Sequence, residues 1–274
     1  MYRVLVVVCA VSFLAPCGWA QTPPAPAATA PAPATKPPAK KSVAKKTSAK
    51  PADPSDSGPC QIGVISDIGD QFVVQTVGFT VFGNERSEVP TRGWGLDDLV
   101  IARVRAAVGP GVTVRRIAHT KDAFAELERP GSFFRDMKAE LATAVRQIAS
   151  GTNCERYVLV HKSTSRFSNL NQSVHGIGIV HWVYRTFLFA LSYVRIYDGQ
   201  SFELIKQGAA TTDDEPLVAR VLMTNPIRGP NRELGKDAFP ANPADATSSP
   251  AFREGVRALL TTSLDNTLPA MLRQ

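Results

Sequence analysis

The chain has 274 residues, with 31 basic side chains against 24 acidic ones and a formal net charge of +7. Seven of the basic residues (Arg3, Lys36, Lys40, Lys41, Lys45, Lys46 and Lys50) precede the first acidic one, Asp53, so the remainder carries 24 of each sign. That balance excludes a nucleic-acid-binding domain argued from the basic pI, because such binding needs positive charge gathered on a folded face.

Residues 1–20 predict a secretory leader. Arg3 supplies the positive start, residues 4–15 the apolar core, and Gly18, Trp19 and Ala20 a small-x-small cleavage site before Gln21. A core of about a dozen residues fits the ~7–15 of a leader and falls short of the ~20 of a membrane span. Pro16 stands where a lipoprotein signal needs a small residue before its cysteine, so Cys17 is not expected to be lipidated. No later segment is long and apolar enough to cross a bilayer. The expected location is the periplasm of a Gram-negative bacterium, with secretion as the other destination. Cys9 and Cys17 leave with the leader; Cys60 and Cys154 remain. An even pair in an exported chain favours a disulfide over two separate buried thiols. Each precedes a strand-like run, so parallel neighbouring strands would bring both to one sheet end.

Residues 21–58 are almost wholly Ala, Pro, Lys, Thr and Ser, too poor in apolar side chains to offset the entropy of ordering. They are expected to form a disordered, semi-extended stalk, reaching on the order of 100 Å. Lys40, Lys41, Lys45 and Lys46 are candidate contacts for anionic cell-wall polymer or lipid head groups; a solvated spacer is the other reading.

The globular region, residues 59–274, opens with a strand at 62–65, a turn at 67–70 and a second strand at 72–82. Leu96, Leu99, Val100, Val104 and Val108 form one stripe, predicting a helix over 96–108 that ends at Gly109-Pro110-Gly111. A brief strand at 112–117 and a turn or two of helix at 122–127 follow. Ser132 is the expected N-cap of a helix over 133–149. Strands are expected at 157–162 and 174–183. Residues 187–209 read as two strands joined at Asp198-Gly199 through a type I′ turn. Phe187 to Leu191 are apolar on both faces, which places that arm inside a sheet covered on both sides. Residues 211–249 are either a flap or hold a further helix. Ser249-Pro250 opens a terminal helix, with Pro269 expected to kink or interrupt it.

These elements define an α/β (α+β) fold: one domain with a mixed β-sheet packed by amphipathic helices. The order of hairpin, helix 96–108 ending at glycine, strand 112–117 and late strands containing VRIYDGQSFELI resembles the α/β domains of bacterial envelope proteins. The similar families are the curli-secretion lipoprotein, the lipoprotein activators of penicillin-binding proteins and the N-terminal domain of the Tol–Pal translocation protein. The leader and Ala/Pro/Lys stalk also resemble those of uncharacterised exported proteobacterial proteins. The resemblance implies binding or assembly rather than catalysis.

No constellation commits the chain to chemistry. Asp67 and Asp70 in IGVISDIGD resemble the first metal ligands of metallophosphoesterases, but Ile68 and Gly69 leave no histidine in the motif, and Glu85 stands where Gly83-Asn84 would need one. They read as turn residues accepting hydrogen bonds from their own backbone. His175 and His181 would lie about 20 Å apart along one strand, beyond a shared zinc ion; His119 and His161 have no helical partner. Gly176-Ile177-Gly178 reads as a bulge or close-packing point. Trp94, flanked by Gly93 and Gly95, is either a packing plug or an exposed partner anchor. The sequence thus predicts no catalytic, metal or cofactor residue. Its leading reading is an exported, non-enzymatic interaction or assembly module on a basic stalk, without a deep polar pocket. A hydrolase with convergent Asp, His or Ser side chains, and a carrier of a small apolar ligand beneath residues 187–191, are the alternatives.

Overall fold

In a computed structural model, residues 59–78, 83–128, 136–167, 172–212 and 226–273 are described. The stalk lysines, Ser132 and the tip of the expected 72–82 strand lie outside them.

The described residues form twelve strands and four helices, in the order β1 (Cys60–Asp67), β2 (Gln71–Val77), β3 (Glu85–Pro90), α1 (Leu96–Val108), β4 (Val114–Arg116), α2 (Ala125–Glu128), α3 (Met137–Ile148), β5 (Cys154–Lys162), β6 (Thr164–Arg166), β7 (Ser173–His175), β8 (Ile177–Trp182), β9 (Arg185–Ala190), β10 (Ser192–Asp198), β11 (Leu204–Ala209), β12 (Asn231–Leu234) and α4 (Pro250–Leu272). They build two mixed five-stranded sheets and a two-stranded ribbon. The first sheet runs β11-β10-β5-β1-β4, the second β12-β9-β8-β2-β3, and β6 pairs with β7. β1 is parallel to both β4 and β5. Among the described residues no helix is long and apolar enough to cross a membrane.

The sheets meet at a three-way junction. Ser163, Gly176 and Leu191 each stand between two consecutive strands that belong to different sheets. Their backbones close a ring: Gly176 N–H donates to Ser163 O (2.9 Å), Ser163 N–H to Leu191 O (3.1 Å) and Leu191 N–H to Gly176 O (2.8 Å). Gly176 takes φ 67°, a left-handed backbone that favours glycine. Residues 187–197 are therefore not one arm, as the continuous apolar pattern predicts, but β9 in one sheet and β10 in the other.

Both sheets are covered on both faces, which explains why their inner strands β1, β2, β5, β8 and β9 are mostly buried and apolar, while polar residues gather on the edge strands. α1 and α4 lie over a core built from the two sheets together, with Val64, Phe72, Val160, Ile179, Leu188 and Val194 beneath Val100, Val104, Val256 and Leu260. α3 covers the opposite face of the first sheet through Leu141 and Val145, against Ile65, Tyr157 and Leu159. The opposite face of the second sheet packs Val73, Val180, Phe187 and Phe189 against Phe167, Val174 and Ile227. Gly178 sits where β8 passes β2: an added Cβ would overlap the Val73 carbonyl and come within 2.7 Å of the Phe189 ring. Gly178→Ala is expected to cost about 3 kcal/mol in urea unfolding, the upper end for overpacking a tight core.

Several local expectations are corrected. The β10–β11 connection is a loop over residues 199–203, not a type I′ turn. The Asp198 carboxylate accepts from the N–H of Gln200 and Ser201, and Asp198 N–H donates to Glu203 O at 2.9 Å. The Ser201 N–H first, then that of Gln200, holds the Asp198 carboxyl below its ordinary pKa. The positive φ belongs to Phe202 (59°); Gly199 is needed because a Cβ there would meet the Cys154 carbonyl. The described α3 begins at Met137, with Asp136 accepting from the N–H of Lys138 and Ala139. Residues 226–249 contribute β12 and short 3-10 turns rather than a helix; residues 213–225 lie outside the description. α4 continues past Pro269 to Leu272, with Ser249 capping its start through Phe252 N–H.

The β8–β9 hairpin turns on Val183 and Tyr184, with Val183 at φ 58°. A β-branched residue there is strained by about 1–2 kcal/mol relative to an allowed backbone. Val183→Gly is expected to raise stability by about 1 kcal/mol in thermal or urea unfolding.

Candidate functional site

A cleft of about 370 Å3 opens at the carboxyl ends of β1 and β4, beside the start of α1. Its position follows from the chain path. From β1 the chain reaches β4 through α1 on one face of the sheet; from β4 it returns to β5 through α3 on the other. Between the carboxyl ends of β1 and β4 the connections diverge to opposite faces, leaving a crevice of the kind in which open α/β sheets bind ligands.

Three separate segments build it. Ser66, Asp67, Gly69 and Asp70 come from the end of β1 and its turn; Arg92 and Asp97 from the entry to α1; Arg116, Ile117, Ala118 and His119 from the end of β4. Val64 and Ile101 supply apolar wall. The Ser66 hydroxyl donates to the Asp97 carboxylate at 2.7 Å. Gly69 lets the turn lie against Asp97, since a Cβ would approach a carboxylate oxygen to 3.0 Å. The Thr91 hydroxyl donates to Gly69 O (2.6 Å) and its N–H to Asp70 O (3.2 Å), stapling the α1 entry loop to the β1–β2 turn. Lys162, with only 9% of its side chain exposed, pairs with the Asp70 carboxylate at 2.7 Å. Asp70 is thus held by a lysine rather than by its own turn, contrary to expectation. Across the cleft, Arg116 pairs with Asp98. The His119 ring bonds Ser66 O through Nε2 (2.9 Å) and Thr120 O through Nδ1 (3.0 Å).

These bonds decide what Ser66, His119 and Asp97 can do. The Ser66 hydroxyl donates its hydrogen bond to Asp97, and the His119 ring nitrogens face two carbonyl oxygens. With these partners, the three side chains are not linked as a serine–imidazole–carboxylate relay. Among the described residues no group of three His, Cys, Asp or Glu side chains is arranged to hold a metal ion. The cleft is a cross-braced recess lined by both charged and apolar side chains.

Trp94, the aromatic residue singled out in the sequence, is 4% exposed. It packs against Phe72 with ring centroids 5.2 Å apart, and its indole N–H donates to Thr247 O at 3.2 Å. Arg257 donates to the carbonyls of Trp94 and Gly95. Of its two sequence-based roles, the packing plug describes it: Trp94 anchors the loop that carries Arg92 to the cleft. Cys60 and Cys154 form a disulfide at the other end of the same sheet, in register on adjacent parallel strands. His175 bonds the Thr164 hydroxyl, and His181 the Thr186 hydroxyl. His161 accepts from Arg195 Nε at 3.2 Å.

No family model matches the sequence, and no curated protein matches it. Solved structures similar to it include a lipoprotein from Neisseria meningitidis, with TM-score 0.28 and 12% identity over 61% of this chain and 94% of that one. A hypothetical protein from Chlamydia trachomatis aligns with TM-score 0.24 and 11% identity over 77% and 100%. A protein from Xanthomonas campestris aligns with TM-score 0.23 and 7% identity over 81% and 86%. At TM-scores this low, none of the three likenesses bears on the function of this chain.

Proposed function

We propose that the protein is an exported binding or assembly module of a bacterial envelope, and that it acts in the periplasm of a Gram-negative cell. Its folded domain binds through the cleft at the carboxyl ends of β1 and β4, while the basic stalk at 21–58 keeps it near anionic cell-wall polymer or lipid head groups. The cleft at the point where the sheet's connections diverge carries the reading. The leader and the Cys60–Cys154 disulfide support an oxidising compartment. The recess, with charged and apolar lining side by side, departs from the expectation of a module without a deep polar pocket. The bonding of Ser66 and His119 favours holding a ligand over hydrolysing one.

A photoreactive residue placed at Ala118, on the exposed wall of the cleft, is expected to yield a discrete adduct in intact exporting cells. The same residue at Tyr184, at the tip of the β8–β9 hairpin, serves as the control. Adducts from position 184 and none from 118 would move the binding surface elsewhere.

A further inference from the structure

The lining of the cleft narrows the class of ligand, an inference that rests on the cleft being the binding site. In sheets that hold nucleotides at this position, the start of the adjacent helix receives phosphate through its free N–H groups. In α1 the first turn carries Asp97 and Asp98. Their charges complement the positive helix end and oppose an incoming phosphate. Asp70 is matched by Lys162, and Arg116 by Asp98. Among the described residues Asp97 bonds only the neutral Ser66 hydroxyl and has no cation paired with it. Arg92 lines the same cleft, is exposed, and has no hydrogen-bond or ion-pair partner among the described residues. One recess thus presents a carboxylate with no cation beside it, an unpaired guanidinium, and an apolar wall of Val64 and Ile101 between β1 and α1. Its volume, about 370 Å3, lies within the range of small-molecule sites.

We propose that the cleft takes a small dipolar ligand bearing a protonated amine and a carboxylate, an amino acid or the end of a short peptide. The amine meets Asp97, the carboxylate meets Arg92, and the ligand's side chain lies on the apolar wall. An arginine suits the second role because its fork pairs with a carboxylate through two parallel hydrogen bonds.

The test is an NMR titration of the chain purified from an exporting host, following the amides of Gly69, Ala118 and His119. Four probes are used: the dipeptide Ala-Ala, 1,4-diaminobutane, succinate and inorganic phosphate. Ala-Ala is expected to shift these amides saturably. Arg92→Gln should weaken it about tenfold and leave the diamine unchanged, the loss of one charge-assisted contact. Asp97→Asn, which keeps an acceptor for Ser66, should weaken both. Succinate or phosphate shifting the same amides as strongly as the dipeptide would overturn the ligand class and leave the cleft as the site. No shift from any probe at tens of millimolar would also overturn the class. The cleft itself is tested separately, by the adduct at position 118.

Discussion

Replacing Cys60 and Cys154 together by alanine is expected to lower the unfolding free energy by about 4.7 kcal/mol, the chain-entropy value for so long a closed loop. The two cysteines are 94 residues apart in sequence and their Cα atoms 4.4 Å apart in space. The loop between them holds β2, β3, α1, β4, α2 and α3, and with the end of β1 it contains every wall of the cleft. Both cysteines are buried beside Tyr157 in the core beneath α3. Tyr157 lies across Gly63, where a Cβ would come within 2.6 Å of its ring. Alanines should keep this packing nearly intact, so the measured loss reports the crosslink. Urea unfolding of wild type and the double variant checks it; a difference below about 1 kcal/mol would show that the segment is already confined in the unfolded chain.

The second large effect is acid destabilisation through His161. Burial first, and then the positive charge of Arg195, push its imidazole down to about 4 from 6.5. Arg195 donates to its Nε2, a bond that only the neutral ring can accept. Unfolded, the ring protonates near pH 6.5; folded, it refuses the proton until about pH 4. Its contribution is therefore whole above pH 6.5, falls as the pH drops through that window, and is gone by about pH 4. The ring retains some solvent contact, which caps the loss at about 3 kcal/mol. His161→Gln preserves an acceptor for Arg195 and removes the titration. Urea unfolding between about pH 7 and pH 4.5 should decline steeply for wild type and much less for the variant. Parallel declines would assign the effect to other groups.

The helices are the most legible part of the sequence. α1 is bounded by Gly95 and Gly109, and α4 opens on Ser249-Pro250, so stripe and boundaries coincide in one local signal. The break at Leu191 is hidden because the apolar run continues through it. Only the backbone ring with Ser163 and Gly176, residues far away in sequence, divides the strand. Asp198-Gly199 misleads in a related way, since Gly199 is small for the sake of Cys154 rather than for its own φ. β12, NREL, is an edge strand with polar residues and little alternation to mark it.

The cleft is less legible still. Asp67 and Asp70 stand out in the sequence, but as turn residues, and Arg92, Asp97, Arg116 and His119 carry no motif. Their assembly depends on β1 lying parallel between β4 and β5. The paired cysteines hint at the β1–β5 neighbourhood, and the strand expected at 112–117, which is β4, carries no sign that it lies beside β1. Trp94, readable from sequence as plug or anchor, acts from inside, fixing the loop that presents its neighbour Arg92.

If the folded domain binds an envelope component through the cleft, with the stalk adding electrostatic retention, the two contributions separate in one experiment. The most direct measurement is sedimentation of wild type, Ala118→Trp and a chain lacking residues 21–58 with isolated envelopes, at low and high salt. The stalk deletion should lose only the salt-sensitive fraction, whereas Ala118→Trp, with the recess filled, should lose the fraction that survives high salt. An Ala118→Trp chain that is folded and retained as fully as wild type at high salt would contradict the account.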